Sequence, residues 1–155
     1  MVAAMRLLTV GKPRSGHLLA LAAEYQKRLG PVMPVAWDAV GQEPPKGAVE
    51  DTLEKEGQRL LARIGANDWA VVLDVAGDLI SSLELAERLD AWRQHGRAVT
   101  LIVGGPLGLS AAVRQRANWR WSLSPLTFPH DLVPVLVLEQ LYRAWSILQH
   151  HPYHK

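Results

Sequence analysis

Three short stretches of this 155-residue chain carry residues whose types and spacing could do chemistry. The first is Gly104-Gly105-Pro106-Leu107-Gly108, in "LIVGGPLGLS", where an apolar run ends in a glycine-rich turn. Glycine lets a backbone come close to a ligand or to another stretch of chain. A phosphate-binding loop would need Gly-x-x-x-x-Gly-Lys-Ser/Thr, and a dinucleotide fingerprint would need Gly-x-Gly-x-x-Gly early in the chain. The turn matches neither and holds no cation. It suits a flat, weakly charged ligand such as an adenosine better than a polyphosphate, and it equally suits an ordinary tight strand–helix connection.

The second stretch is "SLSPLTFPH", where Leu123, Ser124, Pro125, Leu126, Thr127 and Phe128 lead to His130. Small and apolar residues alternate between two prolines, and no helical period follows. Such a loop at a strand end can wrap a ligand, or it can be a rigid link into the last helix. The third is the tail "HHPYHK", which holds three of the six histidines, with Tyr153 and Lys155. No cysteine exists and no carboxylate stands nearby, so a metal site is not expected. A cationic, aromatic tail fits nucleic acid better. His151 and Lys155 would meet phosphates, and Tyr153 could stack on an unpaired base. A frayed terminus would look the same. Arg143, among apolar neighbours in "LYRAW", is expected to be paired, or to face a site, or to pack its stem on Trp145.

Composition excludes several classes. Hydrophobic residues make up 48% and charged residues 21%, an ordinary globular balance, with a net charge of +2. No apolar run reaches the roughly eighteen residues of a membrane span, and the N-terminal apolar part is too short for a secretory signal. The absence of cysteine fits a cytoplasmic protein. The length fits one domain, residues 1–155.

The elements that must position these stretches alternate in type. Strands are expected at Met5–Val10, Val32–Val40, Trp69–Asp74, Ala98–Val103 and Trp119–Leu123, with Pro34 marking the second as an edge strand. Gly41–Gly47 reads as a loop rich in breakers. Helices are expected at Leu18–Leu29, Glu50–Ile64, from the Ser81-x-x-Glu84 capping box to His95, Ser110–Arg116, and from an Asp131 cap through Ser146. This alternation predicts an α/β domain with a mainly parallel sheet and flanking helices. In such sheets ligands sit beyond the carboxyl ends of the strands, where all the unusual loops fall. The last helix, "LVPVLVLEQLYRAWSIL", is apolar almost all round, which predicts burial against a second copy of the chain in a homodimer.

Together "LDVAG", "IVGGPLGLS", "SLSPLTFPHDLV" and "EQLYRAWSILQHHPYHK" resemble the ribosomal RNA large-subunit methyltransferase H family, of the SPOUT class. The resemblance runs nearly end to end. It implies a deep trefoil knot in the C-terminal part, a homodimer, and S-adenosylmethionine as cofactor. It implies a pseudouridine of 23S rRNA as substrate, methylated at N3 on the assembled ribosome. It places Leu73, Gly104, Gly105 and Leu123–Phe128 at the cofactor, with Leu73 and Leu126 flanking the adenine. His154, Tyr153 and Arg143 become candidates for catalysis, with His154 first as base, and His130, His151 and Lys155 for RNA contact. The family often has Glu where this chain has Leu107, and Arg where it has Lys155. Two other readings remain open: a methyltransferase of the same class for another RNA position, and a non-catalytic ribosome assembly factor that binds S-adenosylmethionine. A nucleotide-dependent hydrolase or dehydrogenase is disfavoured by the missing phosphate loop.

Overall fold

A computed structural model describes residues 4–44 and 46–155. One position of the expected 41–47 loop, residue 45, lies outside the described residues. Five strands form one parallel sheet in the order β2-β1-β4-β3-β5. They are β1 (Met5–Val10), β2 (Val35–Val40), β3 (Trp69–Leu79), β4 (Val99–Val103) and β5 (Trp119–Ser122). The helices are α1 (Gly16–Leu29), α2 (Val49–Leu61), α3 (Ser82–His95), α4 (Ala111–Arg116) and α5 (Val133–Leu148).

Side chains alternate across a strand, so each central strand feeds two cores. Leu7, Val71 and Leu101 point to the side covered by α1, α3 and α5. Leu8, Val72 and Ile102 point to the side covered by α2 and α4. All six are fully buried, and burying each such side chain contributes about 1.5–3 kcal/mol. This two-sided burial explains why β4 reads as an uninterrupted apolar run rather than an alternating one.

The expected elements recur with local differences. Pro34 keeps β2 from starting before Val35, and β2 is an edge strand, as a residue without an N–H requires. Ser81 caps α3 by accepting from the Glu84 N–H at 3.1 Å, and Gly96 ends it at φ 71°. Two expectations fail. The third strand does not stop at Asp74. It bulges and continues to Leu79, with its pairing to β5 shifting between Leu73 and Asp78. Gly77 makes the bulge feasible, because a Cβ there would lie 2.7 Å from the Arg120 backbone. Asp131 does not cap α5 either. The cap position is Leu132, with no side-chain cap bond, and the Asp131 carboxylate instead lies 3.1 Å from His130 Nε2.

The connection after β4 enters α4 on one face, whereas those after β1 and β3 enter α1 and α3 on the other. The chain thus diverges on both sides of β4 at its carboxyl end, where open parallel sheets form ligand crevices.

Candidate cofactor cavity and a separate tail cluster

A cavity of about 230 Å³ opens at the carboxyl ends of β3, β4 and β5. Gly104, Gly105 and Gly108 contribute bare backbone to its lining. Gly104 must lack a side chain, because a Cβ there would lie 2.5 Å from the Gly108 carbonyl oxygen. Gly108 returns the turn at φ 94° and donates its N–H to the Gly105 carbonyl at 3.0 Å. The glycine-rich turn is therefore folded back on itself, and this close approach of chain to chain also leaves an open backbone surface towards the cavity.

The remaining walls come from the loop after β5. Leu123, Ser124, Leu126, Thr127, Phe128 and His130 line the cavity, opposite Leu73. Pro125 does not line it and is exposed between its neighbours. The loop holds its shape through its own serines. Ser122 Oγ donates to the Ser124 carbonyl at 3.1 Å, and Ser124 Oγ accepts from the Leu126 N–H at 3.0 Å. Leu126 is 70% exposed at the mouth, with Leu107 and Val75 also exposed.

Sequence reading missed one cation. Arg114, one turn into α4 from the Ser110 cap, lines the cavity and points its Nε at Asp74, 3.3 Å away. Arg120 approaches the same carboxylate at 3.7 Å. The signal was the i,i+4 spacing from Ser110, which puts a helix residue back over the loop that opens the helix.

The tail residues assemble elsewhere. None of Arg143, Tyr153 and His154 lines the cavity. Instead they gather against α1 and α5 around Glu139, a second residue that sequence reading overlooked. Glu139 Oε1 accepts from Arg143 Nε and Nη2 at 2.9 and 2.7 Å, and from the Tyr153 hydroxyl at 3.0 Å. Because its O–H donates to Glu139, Tyr153 accepts from the Tyr25 hydroxyl at 3.0 Å. Burial, then the bonds to Tyr25 and Glu139, push the Tyr153 phenol well above its usual pKa, so it stays protonated. Arg143 is held more firmly charged by its bond to Glu139. Its Nη1 lies 3.1 Å from His154 Nδ1, which must be the accepting nitrogen, because a guanidinium only donates. The Tyr153 ring packs edge-on to Tyr142, with centroids 4.8 Å apart. The tail is docked rather than frayed. His151 and Lys155 remain exposed beyond it.

Among the described residues no cluster of His, Asp and Glu could hold a metal ion. No helix among them is long and apolar enough to cross a membrane.

Residues 3–154 match the family model described as a predicted SPOUT methyltransferase. The chain is 44% identical over 153 residues to a ribosomal RNA large subunit methyltransferase H of Hahella chejuensis, covering 97% of this chain and 98% of that one. It is 56% identical over 107 residues to the protein of the same name in Methylococcus capsulatus, covering 69% of each. Among solved structures it is similar to a probable methylase family protein from Haemophilus influenzae, with a TM-score of 0.56 at 14% identity, over 100% of this chain and 72% of that one. That last likeness concerns the fold alone.

Proposed function

This chain belongs to the SPOUT methyltransferase family, and from that premise we propose that it moves the methyl group of S-adenosylmethionine to N3 of a pseudouridine in the 23S rRNA of the assembled ribosome. The relatives' shared name gives the rRNA class. The observation that carries the reading is the cavity itself: apolar walls, bare glycine backbone in the lining, and no phosphate loop. We take the C-terminal segment to be threaded as the family's trefoil knot, and the protein to work in the cytoplasm.

The residues present fit the cofactor. Leu73, Leu126 and Phe128 offer apolar faces to an adenine, and the backbone of the 104–108 and 123–128 loops offers donors and acceptors to its edge. The Arg114–Asp74 pair offers both signs of charge to a zwitterionic amino-acid end. The bound cofactor supplies an electrophilic methyl on sulfur. The protein must hold the base in line with it, and must take a proton from N3.

The tail cluster carries those tasks, but not for the cavity of its own chain. Val133 lines the cavity and Arg143 lies ten residues further along α5, about 15 Å at the helical rise. A side chain does not span that gap. A two-fold partner packed antiparallel along α5 brings the tail of one copy to the cavity of the other. Leu19 and Leu21 of α1, 38% and 41% exposed, and the half-buried outer face of α5 supply apolar surface for that contact. At the shared site Arg143 turns its free donors to the pyrimidine carbonyls and stabilises the ring as N3 loses its proton. Releasing His154 Nδ1 in the same movement frees that nitrogen to accept the proton. Tyr153, protonated and bound to Glu139, holds the tail in place. Ser124 and Thr127 hydroxyls, the half-buried His130 and the exposed His151 and Lys155 are left for the RNA around the base.

The test is transfer of labelled methyl to ribosomes that lack the modification, to free large subunits, and to naked 23S rRNA. Label on whole ribosomes alone, mapping to one pseudouridine, is expected. Cofactor binding without transfer to any of the three would favour the assembly-factor reading. Label on a different nucleotide would favour another specificity within the family.

A further inference from the structure

The loop from β1 to α1, Gly11 to Ser15, carries Lys12 and Arg14, and His17 follows in the first turn of α1. All three are exposed. Most cations near the sheet are already committed. Arg6 pairs with Asp38, Arg59 and Lys55 with Glu43, Arg114 and Arg120 with Asp74, and Arg143 with Glu139. Among the described residues no carboxylate forms an ion pair with Lys12, Arg14 or His17, and the first turn of α1 contains no acidic residue. The carboxylate of the adjoining loop, Glu43, is neutralised by its two partners. Lys12 is also oriented, its ammonium standing 5.1 Å from the centroid of the Trp37 ring. Trp37 in turn is fixed by donating to Thr9 Oγ1 at 3.0 Å.

This cationic loop stands beside the cavity. β1 and β4 are paired in parallel up to Thr9 and Val103, so their carboxyl ends are adjacent, about 4.8 Å apart. A Cβ on Gly105 would lie 3.2 Å from Val10 Cγ1, which fixes the glycine-rich turn against the end of β1. The cavity opens on one side of β4 and the cations stand on the other.

We infer that Lys12 and Arg14, with His17, grip the phosphates that flank the reacting nucleotide. This inference rests on the rRNA reading above. A chain with a net charge of only +2 and no separate RNA-binding domain has little general attraction for RNA. Uncommitted charge placed one strand from the cavity gives the needed contacts where the base enters. Phosphate contacts of this kind orient the substrate without reading its sequence.

The experiment measures co-sedimentation of the purified protein with ribosomes lacking the modification, across a salt series, for the wild type, K12A/R14A and H17A. Cofactor affinity is measured on each by calorimetry. The expected result is unchanged cofactor affinity, at least tenfold weaker ribosome binding for K12A/R14A, and a log–log salt slope shallower by about 1.5, since each lost phosphate contact removes roughly 0.7–0.9. K12R/R14K, which keeps the charge, is expected to retain most of the binding. Loop variants that sediment as the wild type does would overturn the inference, and so would a wild type that does not sediment at all. A wild type that binds through this loop yet transfers no methyl would leave the inference standing and overturn the enzymatic reading instead.

Discussion

At the scale of single residues, the glycine-rich turn separates two kinds of smallness. Gly104 is blocked by backbone, the Gly108 carbonyl. The closest neighbours of Gly105 are the Val10 and Glu56 side chains, at 3.2 and 3.4 Å, which can give way. Gly104→Ala is therefore expected to cost about 1–3 kcal/mol and to lower cofactor affinity roughly tenfold or more, while Gly105→Ala does much less; calorimetric titration of both variants checks the contrast. Tyr153 gives a pH prediction. Its folded pKa is raised above the ordinary 10.0, so its contribution to tail docking is complete below that value and is lost as the pH rises through the folded pKa. A spectrophotometric titration checks this: Tyr153 should add no tyrosinate absorbance to the folded protein at pH 10, and should add it once the chain is unfolded in denaturant. The glycine-rich turn was visible in the sequence as a place of close approach, but the residues alone did not separate a cavity wall from an ordinary tight strand–helix turn. The partner of Tyr153 was not visible, since Tyr25 lies 128 positions away and no local pattern links them.

At the scale of elements, α5 does two jobs at its two ends. Its start closes the cavity through Val133, and its end carries Arg143 on Glu139. Glu139→Gln keeps the shape but weakens the charge-assisted bonds to Arg143. The predicted outcome is a fall in kcat of about tenfold or more with unchanged cofactor affinity, since Glu139 touches nothing in the cavity. Loss of cofactor affinity instead would show that the tail cluster supports the cavity of its own chain. Most elements were legible because their punctuation is local: Ser81 and Gly96 around α3, Ser110 before α4. The two misreadings share a cause. The bulge in β3 depends on close approach of β5 at Gly77, and the fate of Asp131 depends on His130 rather than on the helix it precedes. In both, tertiary contacts outweigh a local signal.

At the scale of the whole molecule, one chain holds a candidate cofactor cavity that Arg143, Tyr153 and His154 do not line, and a tail cluster with no cavity beside it. The expectation of a knot came from the family resemblance alone, whereas a second copy was also expected from the apolar character of α5 all round its axis. The central claim is that the two halves of the site meet across two copies of the chain. The most direct measurement co-expresses two differently tagged forms and assays the purified mixed dimer on ribosomes. One form carries Leu126→Asp and Thr127→Trp at the cavity mouth, both exposed positions; the other is truncated after Gln149. Each form alone is expected to be inactive. The purified mixed dimer regains one working site of two, the intact cavity of the truncated chain served by the intact tail of its partner, so it should restore roughly half of the wild-type rate. A mixed dimer as inactive as its parents, or a truncated form with full activity, would contradict the account.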